Sequence, residues 1–112
     1  MELSSSDVAD TRVVKVIDTR IDAAVAIQFK DAMRAETEGG PERVVLDLSE
    51  VSFIDSSGLG AVVAAKKLLN GSHVLELAGL TPVVDKVFKL TRMDSVFAIH
   101  SDVNAAVPAL AS

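Results

Sequence analysis

Residues 43–70 read RVVLDLSEVSFIDSSGLGAVVAAKKLLN. Arg43 to Leu48 is a short β-branched apolar run of the kind that forms a buried parallel strand, and Ser49 and Glu50 mark a polar corner. Val51 to Ile54 is apolar again, and from Ser57 to Asn70 the spacing becomes helical, with Gly71 as the stop. Strand, corner and helix in this order predict a crossover unit, in which a helix carries the chain to a parallel neighbouring strand.

The same alternation extends in both directions. Arg12 to Asp18 (RVVKVID) predicts a strand, and Asp22 to Glu36 a helix that Asp22 caps and that Gly39, Gly40 and Pro41 terminate. At 100° per residue, Val25, Ala26, Phe29, Ala32 and Met33 share the side expected to pack on a sheet, with Gln28, Asp31 and Arg34 facing away. Downstream, His73 to Leu77 predicts a strand. Thr81 and Pro82 open a helix running to about Leu90 with Val84, Val87 and Phe88 inward, and Val96 to Ile99 predicts a last short strand. Ser101 or Asp102 caps a terminal helix containing Ala105, Ala106 and Leu110. The polar segment Glu2 to Asp7 has two readings, an edge strand hairpinned to residues 12–18 through a turn near Asp10, or a frayed end. The expected fold class is α/β: one domain over residues 1–112, with a mixed, mostly parallel sheet of four to five strands and about four helices.

The 112 residues suffice for one core, and with 49% apolar but only 4% aromatic residues that core must be aliphatic. There are no cysteines, hence no disulfide framework or thiolate metal cluster, which suits a reducing compartment. The N-terminus lacks a basic segment followed by an apolar run, and no window approaches the length of a membrane span. A cytoplasmic location is therefore the expectation. The formal charge of −5 without a Lys/Arg cluster argues against nucleic acid and anionic lipid, so protein or small-molecule partners remain.

The six residues DSSGLG, Asp55 to Gly60, invite a catalytic reading that their spacing does not support. A nucleophile elbow requires glycine two positions before its serine, where Ile54 and Asp55 stand, and a phosphate-binding loop requires GxxxxGK[ST]. Neither pattern is present. His73 and His100 lie at strand ends with nothing to place them beside Ser56, and Asp18, Asp22, Asp47 and Asp55, as candidate magnesium ligands, are each explained singly as caps or turn acids. No cofactor and no resident metal are expected.

The helix after DSSGLG has two faces. Ala61, Val62, Ala65, Leu68 and Leu69 form the stripe expected to meet the sheet. The opposite face carries Gly60, Val63 and Lys67 with Leu59 on its flank, and one turn back lies Ser56. Scattered exposed apolar residues are ordinary. A docking face is the sharper reading, with Leu59 and Val63 supplying burial, Gly60 admitting a partner's backbone, and Ser56 lying where free N–H groups favour a negative group. Ser57 is assigned to the helix cap.

The stretches VVLDLSEVSFIDSSGLGAVVAAKKL and LAGLTPVVDKVFKLTRMDSVFAIHSDVNAAV closely resemble the bacterial anti-sigma-factor antagonists of the STAS domain family, and the likeness runs from Arg12 to Leu110. The resemblance implies partner switching rather than catalysis. A partner that is both serine kinase and anti-sigma factor binds the unphosphorylated protein and phosphorylates the serine after the motif aspartate, here Ser56, and a separate phosphatase resets the switch. It also implies a partner-binding role for Asp22, beside Asp55, Ser57, Gly58, Leu59, Gly60, Val63 and Lys67. A monomer or weak dimer is expected. Thr19 stands where relatives commonly have glycine, so the turn before Asp22 is expected to differ. The alternative function within the same family is a structural subunit of a sensor complex or transporter-associated assembly, with Ser56 only a helix cap.

Overall fold

The computed structural model describes residues 1–110; 111 and 112, the end of the expected domain, lie outside the described residues. The central sheet has five strands in the order β1 (Leu3–Val8), β2 (Thr11–Val16), β4 (Arg43–Asp47), β6 (Val74–Ala78) and β7 (Ile99–His100). All neighbours are parallel except β1, which hairpins onto β2 through a turn at Ala9 and Asp10, Ala9 taking a positive φ of 54°. The polar N-terminal segment is therefore an edge strand, and its serines are tolerated because an edge exposes them to solvent.

Two very short parallel strands, β3 (Arg20–Ile21) and β5 (Phe53–Ile54), form a second small sheet. The Thr19 carbonyl organises the turn before β3 by accepting from the Ser52 and Phe53 amides at 2.8 and 3.2 Å. Helices α1 (Ala26–Thr37), α2 (Ser56–Leu69) and α3 (Pro82–Leu90) link the strands, and α4 (Val103–Ala106) follows the last one.

Alternation along the central strands sends side chains to two faces. Val14, Val16, Val44, Leu46, Leu75 and Leu77 join Phe29, Met33, Val62, Val84 and Phe88 in the main aliphatic core. Val13, Val45 and Ala78 meet Ala106 and Val107 in a smaller core on the other face.

Several local expectations are corrected. Helix α1 begins at Ala26, and Asp22 does not cap it: its Oδ1 accepts from the Ala24 amide at 3.1 Å, closing a separate turn. Thr81 occupies the N-cap position of α3, yet its hydroxyl donates to the Val51 carbonyl at 2.7 Å instead of capping. The last strand starts at Ile99 and not at Val96, because a 3-10 turn over Met93–Ser95 precedes it and turns Phe97 into the core. Leu68, assigned to the inner stripe of α2, is 40% exposed. Asp102 does cap α4, accepting from the Ala105 amide at 2.7 Å, but that helix ends at Ala106.

On the α4 face, Glu76 ties three strands together. It receives the Arg43 guanidinium at 2.8 and 3.3 Å, and His100 Nε2 lies 2.7 Å from its Oε1. Arg43 also donates to the Ala106 carbonyl at 2.7 Å, joining α4 to the network. The hydrogen bonds from Arg43 hold the Glu76 carboxyl below its ordinary value of 4.5, against the opposing effect of burial and with help from His100. A depressed folded-state pKa contributes stability that is present above the unfolded value and lost as pH falls through the folded one. Glu76→Gln should therefore lower the urea midpoint at pH 7, consistent with a loss of about 2 kcal/mol for hydrogen bonds to charged groups. The gap from wild type should narrow as the pH is taken below 4.5. An unchanged gap between pH 7 and pH 3 would refute this role.

Gly58 and Gly60 should respond oppositely to alanine. A Cβ at Gly58 would fall onto the Ile21 carbonyl, whereas one at Gly60 would meet no atom within 4 Å. In urea melts, Gly58→Ala should cost about 1–3 kcal/mol through overpacking. Gly60→Ala should be neutral or stabilise by up to about 1 kcal/mol, since alanine favours the helix.

Candidate functional site

The candidate site is the junction where β5, paired with β3, hands the chain to α2. Asp55 is the N-cap of α2, with extended backbone (φ −104°, ψ −175°) and Oδ1 accepting from the Gly58 amide at 2.8 Å. Its Oδ2 accepts from the Ala23 amide at 3.3 Å, drawing the loop after β3 against the helix mouth. Asp55, not Ser57, thus caps the helix, and it serves the site by positioning, both its oxygens being engaged within the chain.

Ser56 and Ser57 occupy the first turn and are exposed. Their hydroxyls and backbone amides find no partner among the described residues. A helix N-terminus leaves such donors unpaired, and with the positive end of the helix dipole they favour a negative group. Ser56 therefore offers an accessible nucleophilic hydroxyl at a place suited to carrying a phosphate.

The remaining site residues divide by burial. Gly58 is buried against Ile21 and offers no partner surface; its role is to let α2 approach β3, a correction to its placement among contact residues. Gly60 and Lys67 are exposed. Leu59 and Val63 are half-buried, packing partly on the core while keeping an outer edge. At 100° per residue, Ser56, Gly60, Val63 and Lys67 lie along one crest of α2, with Leu59 on a flank.

Asp22 reaches the same neighbourhood through the Ala23–Asp55 hydrogen bond and is half-exposed. It pairs with Arg20, Nε to Oδ2 3.3 Å, and the Arg20 guanidinium lies 4.2 Å from the centre of the Phe53 ring. Arg20 and Phe53 escape a reading of the sequence because a two-residue strand leaves no periodicity that would pair them.

The histidines sit elsewhere, His73 beside the Ser72 hydroxyl and His100 on Glu76. The four aspartates considered as magnesium ligands each accept from a backbone amide: Asp18 from Glu2, Asp22 from Ala24, Asp47 from Ser49, and Asp55 from Gly58 and Ala23. Among the described residues no three His, Cys, Asp or Glu side chains gather as a metal site, and no helix is long and apolar enough to cross a membrane.

Known proteins resemble this chain over most of its length. The STAS domain model matches residues 5–106. BtrV of Bordetella bronchiseptica, named as an anti-sigma factor antagonist, is 32% identical over 104 residues, covering 92% of this chain and 90% of its own. The crystal structure of an anti-sigma factor antagonist from Mycobacterium paratuberculosis superposes with a TM-score of 0.83 at 25% identity, over 99% of this chain and 94% of that one. The phosphorylated form of the Bacillus cell fate determinant SpoIIAA shares the fold alone, with a TM-score of 0.64 at 19% identity over 94% of this chain and 96% of its own. With the match spanning both the sheet and the DSSGLG junction, the chain belongs to the STAS domain family, among its anti-sigma factor antagonists.

Proposed function

We propose that the protein is a phosphorylation-controlled partner switch acting in the cytoplasm. Its unphosphorylated form binds an anti-sigma factor that is also a serine kinase, through the crest of α2 and the adjoining Asp22 loop, and so releases the sigma factor. Phosphoryl transfer from ATP to the Ser56 hydroxyl ends that complex, and a serine phosphatase restores the hydroxyl. The chain is then substrate and ligand, not catalyst. What carries this reading is the exposed Ser56 hydroxyl beside unused first-turn amides, on the crest that also holds Gly60, Val63 and Lys67.

The energies favour control of binding over control of folding. A phosphate at this helix terminus should stabilise the free chain by about 0.3–2 kcal/mol. At an interface shaped for a hydroxyl, the same dianion must be desolvated, and a hundredfold weakening needs only about 2.8 kcal/mol.

Two measurements test the proposal on the anti-sigma protein recovered with the wild-type chain. With ATP, wild type should take up one phosphate and Ser56→Ala none; full incorporation into Ser56→Ala would place the modification elsewhere. In titrations, Ser56→Asp and Val63→Asp should each weaken the complex at least a hundredfold while melting within a few degrees of wild type. Retained affinity in both would remove the crest from the interface.

A further inference from the structure

The crest of α2 is bordered on its α1 side by a groove that none of the described residues fills. Near the mouth of α2 it is lined by Ile27, Ser57, Gly60 and Ala61, and further along by Asp31, Arg34, Lys67 and Leu68. Lys30 and Ala64 line both stretches, so the two concavities, of about 200 and 420 Å³, form one channel. Its floor is small and apolar, and its lips carry Ile27, 72% exposed, and Leu68, 40% exposed.

The charge around this channel runs against that of the protein. Of eleven Lys and Arg side chains in a chain of net −5, five are ion-paired: Arg12, Lys15, Arg20, Arg43 and Lys89. Of the other six, three stand on this groove, Lys30 and Arg34 on the α1 bank and Lys67 on the α2 bank, with no acidic partner among the described residues. Asp31 is the one carboxylate lining it.

We propose that this groove seats an acidic amphipathic helix of the protein partner, a proposal that rests on the binding role argued above. From Ser57 to Leu68 the channel follows eleven residue steps of α2, about 16 Å, which matches three turns of an incoming helix. Gly60, Ala61 and Ala64 let that helix come close, and Ile27 and Leu68 cover apolar residues at positions i, i+3, i+4 and i+7. Asp and Glu on its flanks meet Lys30 and Arg34 on one side and Lys67 on the other, and elsewhere the negative chain repels them, which fixes where the helix lies. The channel opens at Ser57, beside Ser56. A phosphate there places its charge at the end of a site built for acidic side chains, which supplies a repulsive term to the switch.

The test uses the anti-sigma protein recovered with the wild-type chain, and reads affinity together with amide exchange. Lys30→Glu/Arg34→Glu should weaken binding at least thirtyfold and flatten the salt dependence. The same charge change on α3 and the turn after it, Lys86→Glu/Arg92→Glu, should stay within threefold. Ala64→Arg adds a positive charge but fills the floor, and it too should weaken binding at least tenfold. The complex should protect amides of both α1 and α2. Circular dichroism melts confirm that each variant is folded.

If Ala64→Arg binds as well as wild type, the cations merely steer the encounter and the groove is empty, which overturns the proposal. Reversals without effect beside a Ser56→Asp that abolishes binding overturn the groove and leave the switch standing. If neither reversals nor Ser56→Asp matters, the switch itself fails. Sedimentation showing two copies of this chain joined through α1 and α2, with wild-type affinity in the groove variants, assigns the surface to self-association and overturns the acidic helix.

Discussion

The Asp55 carboxylate is the interaction on which the site depends. One oxygen caps α2 through the Gly58 amide, the other holds the Ala23 amide, and the carboxylate thereby fastens the end of β5, the loop after β3 and the first turn of α2 to one another. Replacing an N-cap aspartate by alanine costs about 0.5–2 kcal/mol. Here the loss would reach further than the helix, since the Asp22 loop has Asp55 as its tie to the helix mouth. Gly58 completes the junction by leaving room for the Ile21 carbonyl, so α2 enters close to β3 and its first serines are raised out of the core. Because residue 55 supplies the cap, both following hydroxyls stay free.

Such an arrangement keeps the fold independent of what the Ser56 hydroxyl carries. The Asp55 cap, the buried Gly58 and the backbone amides they hold order the helix mouth, and none of these changes when a group is added to the exposed hydroxyl of Ser56. The second face of the sheet is anchored independently, by Arg43, Glu76 and His100 around the Ala106 carbonyl. A charge introduced at the α2 mouth therefore acts on whatever approaches that surface, while the cores on both faces retain their packing.

Much of this was legible in the residues themselves. The β-branched runs RVVLDL and HVLEL, separated by a stretch of helical spacing, disclose the parallel sheet because strands with both faces covered must be apolar throughout. The DSSGLG junction is legible for a similar reason: acid, two hydroxyls and glycine at the start of a helical period leave few places for the serines but the surface. What escaped had no local signal. The strands β3 and β5 are two residues long and are held by each other, by Thr19 and by the α2 mouth, which are tertiary facts. Thr81 heads α3 as the following proline predicts, but its hydroxyl donates to the Val51 carbonyl, and Asp22 closes its own turn before α1 begins. Leu68 falls on the inner stripe by angle alone. It is exposed because it lines the groove between α1 and α2.

The groove is open because the residues of α2 that line it are small. Gly58, Ala61 and Ala65 on its buried side bring the helix axis close to the sheet, and Gly60 and Ala64 on the α1 side are too small to fill the space between two cylindrical helices. Larger residues at 60 and 64 would close the gap and add burial, as helix packing ordinarily does. Instead the gap is floored by small groups, edged by Ile27 and Leu68, and bordered by cations that form no ion pair among the described residues. Each of these choices forgoes stability in the isolated protein: an exposed isoleucine, an unfilled channel, and two lysines and an arginine facing the single carboxylate of Asp31. They become favourable together only when a second surface, apolar along its centre and acidic along its edges, is laid into the channel.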